Sequence, residues 1–276
     1  MSELVMTRNP SLFLRELNSV ITIAARDITL TLKSPAIIIS SLAIPIVMMG
    51  MLGGSLSQNM ASGLGFNYGQ FMLVGMVVNM LFMATTMNIT SLIEDRITDF
   101  TQEMMISPVS RYSIVIGKIF GSSFGAITGM LGTFIVGFVM GITLTVGQIL
   151  TILVLSPLMC LSAGALAMII LGFVRNNRMA NIATMLISMP QMFLSGAIIP
   201  VNNSSGFLLV LSRMMPMTYC LDLMRAVVYA GTPEYESVVM FNPLVNFVVI
   251  TALTIVCLFI GTFFFAQSEK NRGRKC

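Results

Sequence analysis

The sequence predicts an all-α integral membrane protein with six transmembrane helices. Three observations carry that prediction. Of its 276 residues, 56% are hydrophobic and 9% are charged, whereas soluble domains carry about 25% charged residues. The apolar residues gather into six runs of about 20 or more, the length that crosses a hydrocarbon core. Most of the charges fall between those runs or at their ends, where a membrane protein meets water. The net charge of +4 is scattered over segment ends, which fits a membrane boundary and gives no reason to invoke nucleic acid. The expectation is a single domain over residues 1–276, with an interface helix at 11–33, a membrane region at 36–266 and a basic tail at 267–276.

Residues 11–33 read as an amphipathic helix lying on a membrane surface. Leu14, Leu17, Ile21, Ala24 and Ile28 recur at steps of three and four, while Arg15, Glu16, Arg26, Asp27 and Lys33 fill much of the rest. Ser34 and Pro35 suit the N-cap and first position of the next helix. That helix is the first span, 36–56, which Pro45 bends. An uncharged Gly, Ser and Asn-rich linker leads to the second span, 71–92. A highly charged stretch, 92–118, follows. It carries Glu94, Asp95, Arg96, Asp99, Glu103, Arg111 and Lys118, and ends its loop on Ser107-Pro108-Val109-Ser110-Arg111. So polar a loop lies in water and reads as a docking surface for a partner.

The third and fourth spans, 113–140 and 147–174, are separated by a turn short enough to make them an antiparallel pair. Pro157 is expected to kink the fourth. A tight basic turn, Arg175 to Arg178, opens the fifth span, 179–199. The long connection 200–243 contains two apolar pieces too short to cross, 207–214 and 217–230, separated by Pro216. They read as short re-entrant helices at the membrane edge. The sixth span is 244–266. Placing both termini in the cytoplasm puts Arg8, Arg15, Arg26, Lys33, Arg96, Arg111, Lys118, Arg175, Arg178, Lys270, Arg272, Arg274 and Lys275 inside, and Arg213 and Arg225 outside. Cytoplasmic loops carry the excess of Lys and Arg, so this multi-pass orientation in the cell membrane is the expected one, and the charged loop is cytoplasmic.

Several chemistries are missing. The chain has no His, which excludes a HExxH metal site and a Ser-His nucleophile. The four Cys show no spacing that builds a metal site or disulfide framework. Gly117-Lys118-Ile119 lacks the glycine spacing and the Ser or Thr of a phosphate-binding loop, so this chain holds no cofactor, and any ATP is bound elsewhere. Among ionisable residues the spans contain only Lys118, near a span end, from which it can snorkel to the surface.

Small and polar residues mark particular faces. Gly117, Gly121, Gly125 and Gly129 repeat at four on the third span, continued by Thr133, Gly137 and Gly141. Such a stripe lets helices approach closely, and packing within the chain is favoured over a dimer interface. Asn181, Thr184, Ser188, Gln191 and Ser195 form one polar stripe on the fifth span. Asn79 and Thr86 share a face of the second. Helix-to-helix hydrogen bonding and the lining of a substrate path both account for these residues, since neither tolerates lipid. Asp222 and Arg225, three apart on a short helix, are placed to pair, as a structural salt bridge or as an outer gate.

The run from Asp99 through Glu103, Pro108 and Arg111, followed by Gly117-Lys118, resembles the cytoplasmic loop of ABC-2 type permeases, the membrane subunits of ATP-binding-cassette exporters. Phe193-Leu-Ser-Gly-Ala-Ile-Ile-Pro200 is similar to that family's fifth-span end. Met215-Pro-Met-Thr-Tyr219, with Asp222, Arg225 and Gly231, is similar to its outer loop. Phe100-Thr101 stands where many members have Gly-Thr. The resemblance implies a homodimer working with two cytosolic ATPase subunits that bind ATP and Mg. It also implies a coupling helix over 94–103, with Glu94, Asp95, Arg96, Asp99, Glu103, Pro108 and Arg111 facing the ATPase. The expected function is the permease of an exporter for hydrophobic or amphiphilic substrates such as drugs, antibiotics or lipids. An ion-coupled or passive carrier and a membrane scaffold are the alternatives.

Overall fold

The computed structural model describes residues 12–53, 66–90, 111–174, 176–201 and 206–272, and every regular element among them is helical. In chain order these are α1 (Leu12–Lys33), α2 (Pro35–Met48) running into a π turn (Met49–Gly53), α3 (Tyr68–Thr90), α4 (Arg111–Val139) and α5 (Val146–Phe173). They continue with α6 (Asn177–Leu194), α7 (Phe207–Met214), α8 (Pro216–Val228), α9 (Tyr235–Val238) and α10 (Pro243–Arg272).

Local chemistry accounts for the boundaries. Pro35 and Pro216 occupy helix starts, where a missing N–H costs nothing. Gly141, at φ 79°, closes α4 with Ile142 N–H donating to Gly137 O at 2.9 Å and Gly141 N–H to Phe138 O at 3.0 Å, the paired bonds of a glycine helix stop. Thr145 and Gln148 then form a reciprocal capping box that starts α5. The Asn176 side chain accepts from Met179 N–H at 2.7 Å and starts α6. The helix α5 continues through Pro157, while the π turn of α2 begins four residues after Pro45, whose ring removes one rung of the ladder.

Tyr68–Ile89, Ser113–Val139, Val146–Phe173 and Tyr235–Phe264 are long and apolar enough to cross a membrane, matching the second, third, fourth and sixth predicted spans. The first and fifth fall on α2 with its π turn and on α6. The helices α7 and α8 meet at 84°; the sequence placed both, but not the single turn of α9 after them.

The core is organised around α3, which packs on α4, α5, α6 and α8 and is buried continuously from Phe71 to Phe82. A helix apolar on all sides is stable only when surrounded. Gly75 permits the closest approach, because a Cβ there would collide with the carbonyl of Ala197. The helix α10 packs on α5 and turns Leu244, Val248, Ile255, Phe259 and Phe263 outward.

The glycines of α4 pack within the chain. A Cβ at Gly117 would lie 3.0 Å from Val20 O, one at Gly121 2.6 Å from Asp27 Cβ, and one at Gly137 2.5 Å from Leu73 Cδ1. The first two bring α1 alongside α4, running in the same direction.

Candidate functional site

Four residues of the predicted substrate path come together at one point. Asn79 and Thr86 of α3 and Ser188 and Gln191 of α6 line a cavity of about 10 Å³, closed by Phe82, Met83, Leu166 and Met217. That is the space of about one water molecule. Asn79 and Gln191 are almost wholly buried, and the Asn79 Nδ2 donor and Gln191 Oε1 acceptor have no hydrogen-bond partner within the chain. A buried donor and acceptor left open in this way each cost about 1–3 kcal/mol. The arrangement therefore favours a third group that accepts from one and donates to the other. Thr86, by contrast, donates to Phe82 O at 2.7 Å.

The rest of the α6 stripe divides. Thr184 and Ser195 are buried, but Asn181 is exposed near the start of the helix. The helix stops at Leu194, short of the predicted end. Gly196, at φ 84°, then turns the chain so that its carbonyl faces α8.

That carbonyl is held by Arg225, and here the sequence expectation needs correcting. Asp222 and Arg225 do not pair with each other; each takes partners from other segments. Asp222 Oδ1 accepts from Met240 N–H at 2.7 Å, and Oδ2 accepts from Phe241 N–H at 2.9 Å and from Asn246 Nδ2 at 2.8 Å. Arg225 Nη2 donates to Gly196 O at 2.6 Å, and the guanidinium lies 3.6 Å from the centre of the Phe71 ring, well within cation–π range. A buried carboxylate is stabilised by several N–H donors, and three are within reach. Together the two residues fasten α8 to the start of α10, the end of α6 and the start of α3. Tyr68 Oη donating to Ile198 O at 2.8 Å and Gln148 Nε2 to Val228 O at 2.6 Å tighten the same end. Phe71 and Asn246 were not singled out in the sequence, and Gly196 entered only as part of the run Phe193 to Pro200. An Asn near the start of an apolar helix was the available signal for Asn246.

At the opposite end of α3, Lys118 does not reach outward as expected. It is buried, with Nζ 3.0 Å from Asp27 Oδ2 and 3.2 Å from Asp27 Oδ1. Asp27 lies on the face of α1 that meets the α4 glycines, whereas the sequence grouped it with the solvent-facing charges. Asn88, on the far side of α3 from Asn79, donates to Ser122 O of α4 at 3.5 Å. Of the predicted coupling residues, Glu94, Asp95, Arg96, Asp99, Glu103 and Pro108 lie outside the described residues, and Arg111 opens α4. Among the described residues no cluster of His, Cys, Asp and Glu could hold a metal.

A bundle of long apolar helices, knit together by buried charges and enclosing a small cavity onto which two buried amides open, defines a polytopic membrane protein. The chain belongs to the ABC-2 type transporter family, whose model matches residues 18–229. It is 26% identical over 200 residues to Nodulation protein J of Rhizobium meliloti (strain 1021), covering 72% of this chain and 76% of that protein. Membership makes it a multi-pass membrane component of a transporter, and the family implies an ATP-binding partner subunit.

Proposed function

We propose that the chain is the permease of an ATP-driven exporter and that its substrate path runs between α3 and α6. The cavity shared by Asn79, Thr86, Ser188 and Gln191 carries this reading. It is the place where hydrogen-bonding groups of two helices face each other without being consumed by each other. At its present size it admits nothing larger than water, so passage requires α3 and α6 to part there. Its Phe, Met and Leu walls and uncharged amides suit a hydrophobic or amphiphilic substrate.

In this reading α2 with its π turn and α6 complete six spans, and both termini face the cytoplasm, as the distribution of Lys and Arg supports. Two ATPase subunits carrying ATP and Mg press on residues 94–111 of a homodimeric permease. Asp222 and Arg225 hold the outer end closed.

The test is reconstitution in liposomes with and without the ATPase encoded beside or copurifying with this chain. ATP-dependent transport that requires the partner is expected; equal flux without it refutes the mechanism. Reversing Glu94, Asp95 and Glu103 to Lys is expected to abolish stimulation of the ATPase while leaving membrane insertion intact. Gln191→Leu is expected to change substrate preference if the cavity lies on the path, whereas lower stability with unchanged transport would assign it to packing.

A further inference from the structure

Asp27 and Lys118 form a buried ion pair between α1 and α4 that the transport reading does not use. Both side chains are at least nine-tenths buried, and the ammonium bridges both carboxylate oxygens. The helices touch on either side of the pair, at Gly117 against Val20 and Ile23 and at Gly121 against Ala24. Arg26 also approaches Asp27, at 3.8 Å, from a half-buried position on the same helix.

A buried pair adds little net stability over apolar side chains of similar size, yet is costly once its partners separate; its best-attested use is to fix register. Apolar side chains and glycines alone would let α1 slide along α4 by a turn, about 5.4 Å, and still find contact. Asp27 and Lys118 could not do so without breaking their contact of 3.0 Å inside the bundle.

We infer that Asp27–Lys118 is a register key that keeps α1 fixed on α4 throughout the transport cycle, so that the amphipathic helix and the third span move as one body. Both residues are positioning residues, and the conformational consequence rests on the ATP-driven reading above. Because Lys118 stands seven residues after Arg111, any displacement of the charged stretch 94–111 reaches α1 and α4 together.

The test uses Ile23→Cys with Gly117→Cys in a chain whose native cysteines are replaced by alanine. A Cβ at Gly117 would lie 3.1 Å from Ile23 Cβ, a few tenths of an ångström short of the disulfide range of about 3.5–4.5 Å, so a small outward shift of the helices brings the two cysteines into bonding geometry. In detergent, without ATPase, near-complete cross-linking is expected with the ion pair intact. A several-fold lower yield is expected when Asp27→Leu and Lys118→Leu are added. An unchanged yield in that apolar variant overturns the register role. Should the apolar variant fold poorly, the exchanged pair Asp27→Lys with Lys118→Asp decides: recovery of at least half the yield supports the key, and a yield no better than that of Asp27→Asn alone refutes it.

In proteoliposomes with the ATPase, the oxidised cysteine pair is expected to transport within about twofold of the reduced one. Loss of transport on oxidation, restored by dithiothreitol, would mean that α1 and α4 separate during the cycle, and the inference fails. Absence of ATP-dependent transport in the wild type would instead defeat the exporter reading, leaving the detergent result to decide the register role.

Discussion

Removing the Asp222 carboxylate tests how the short helix α8 is held. In Asp222→Ala, three donors lose their acceptor: Met240 N–H, Phe241 N–H and Asn246 Nδ2. Asn246 is fully buried, so its amide bears the whole penalty of about 1–3 kcal/mol for an unsatisfied group. Met240 and Phe241 are half-buried, and water recovers part of their loss. The total is roughly 4 kcal/mol, at about half a full penalty for each backbone group. Deleting the charge also removes its own burial cost, but all three donors remain in place, so destabilisation wins. At ~2–4 °C per kcal/mol the melting midpoint in detergent should fall by on the order of 10 °C. Asp222→Asn should lie between, since its oxygen still accepts while its NH₂ is turned on the remaining donors. With Cys257 and Cys276 replaced by alanine, the buried thiols of Cys160 and Cys220 make a maleimide dye a readout of core opening on heating. A midpoint for Asp222→Ala within about 2 °C of wild type, less than 1 kcal/mol on that scale, would refute this account.

Gly75→Ala should yield little folded protein, because the obstacle is the Ala197 backbone and not a movable side chain; Gly147→Ala, where a Cβ meets nothing within 4 Å, should be neutral or slightly stabilising, as detergent-solubilised yields would show. Arg225→Met should lower stability by about 2–4 kcal/mol through loss of the bond to Gly196 O and the contact with Phe71, and Arg225→Lys should recover only part of it in the same melting assay. Gly121→Leu should push α1 off α4 and expose α1 to protease, with the rest of the bundle still inserted.

What could be read from the sequence was whatever is encoded locally. The helix pair around Pro216 was visible because proline and apolar run length act within a few residues. The polar faces of α3 and α6 were visible as stripes, and Asn79, Thr86, Ser188 and Gln191 do meet. The stripe could not reveal that Asn181, near the start of α6, is exposed while Thr184 and Gln191 are buried. Glycines at steps of four announced a close contact on α4 but not its partner, since periodicity defines a face and is silent about what covers it. The same limit explains Lys118, whose counter-ion lies 91 residues earlier, and Asp222, for which i, i+3 spacing suggested Arg225 while backbone donors from a later segment were the stronger competitors.

The distribution of these contacts bears on where the bundle can open. Near the start of α3, Arg225 holds Phe71 and Gly196 together, and near its other end Asn88 bonds to α4 close to the Asp27–Lys118 pair. Between them, α3 and α6 meet around a cavity whose central amide groups are not spent on each other, and the start of α6 is exposed. In the proposed cycle α6 would part from α3 by pivoting about its anchored Gly196 end, opening most at its exposed start and carrying Gln191, one turn from the pivot, away from Asn79. This yields a contrasting pair of outcomes. A short thiol cross-linker between Asn79→Cys and Gln191→Cys should abolish transport, reversibly if the linker is cleavable, while the Ile23–Gly117 disulfide leaves transport intact. Full transport with α3 and α6 tied at the cavity would exclude the path from this contact and force it to another face of the bundle.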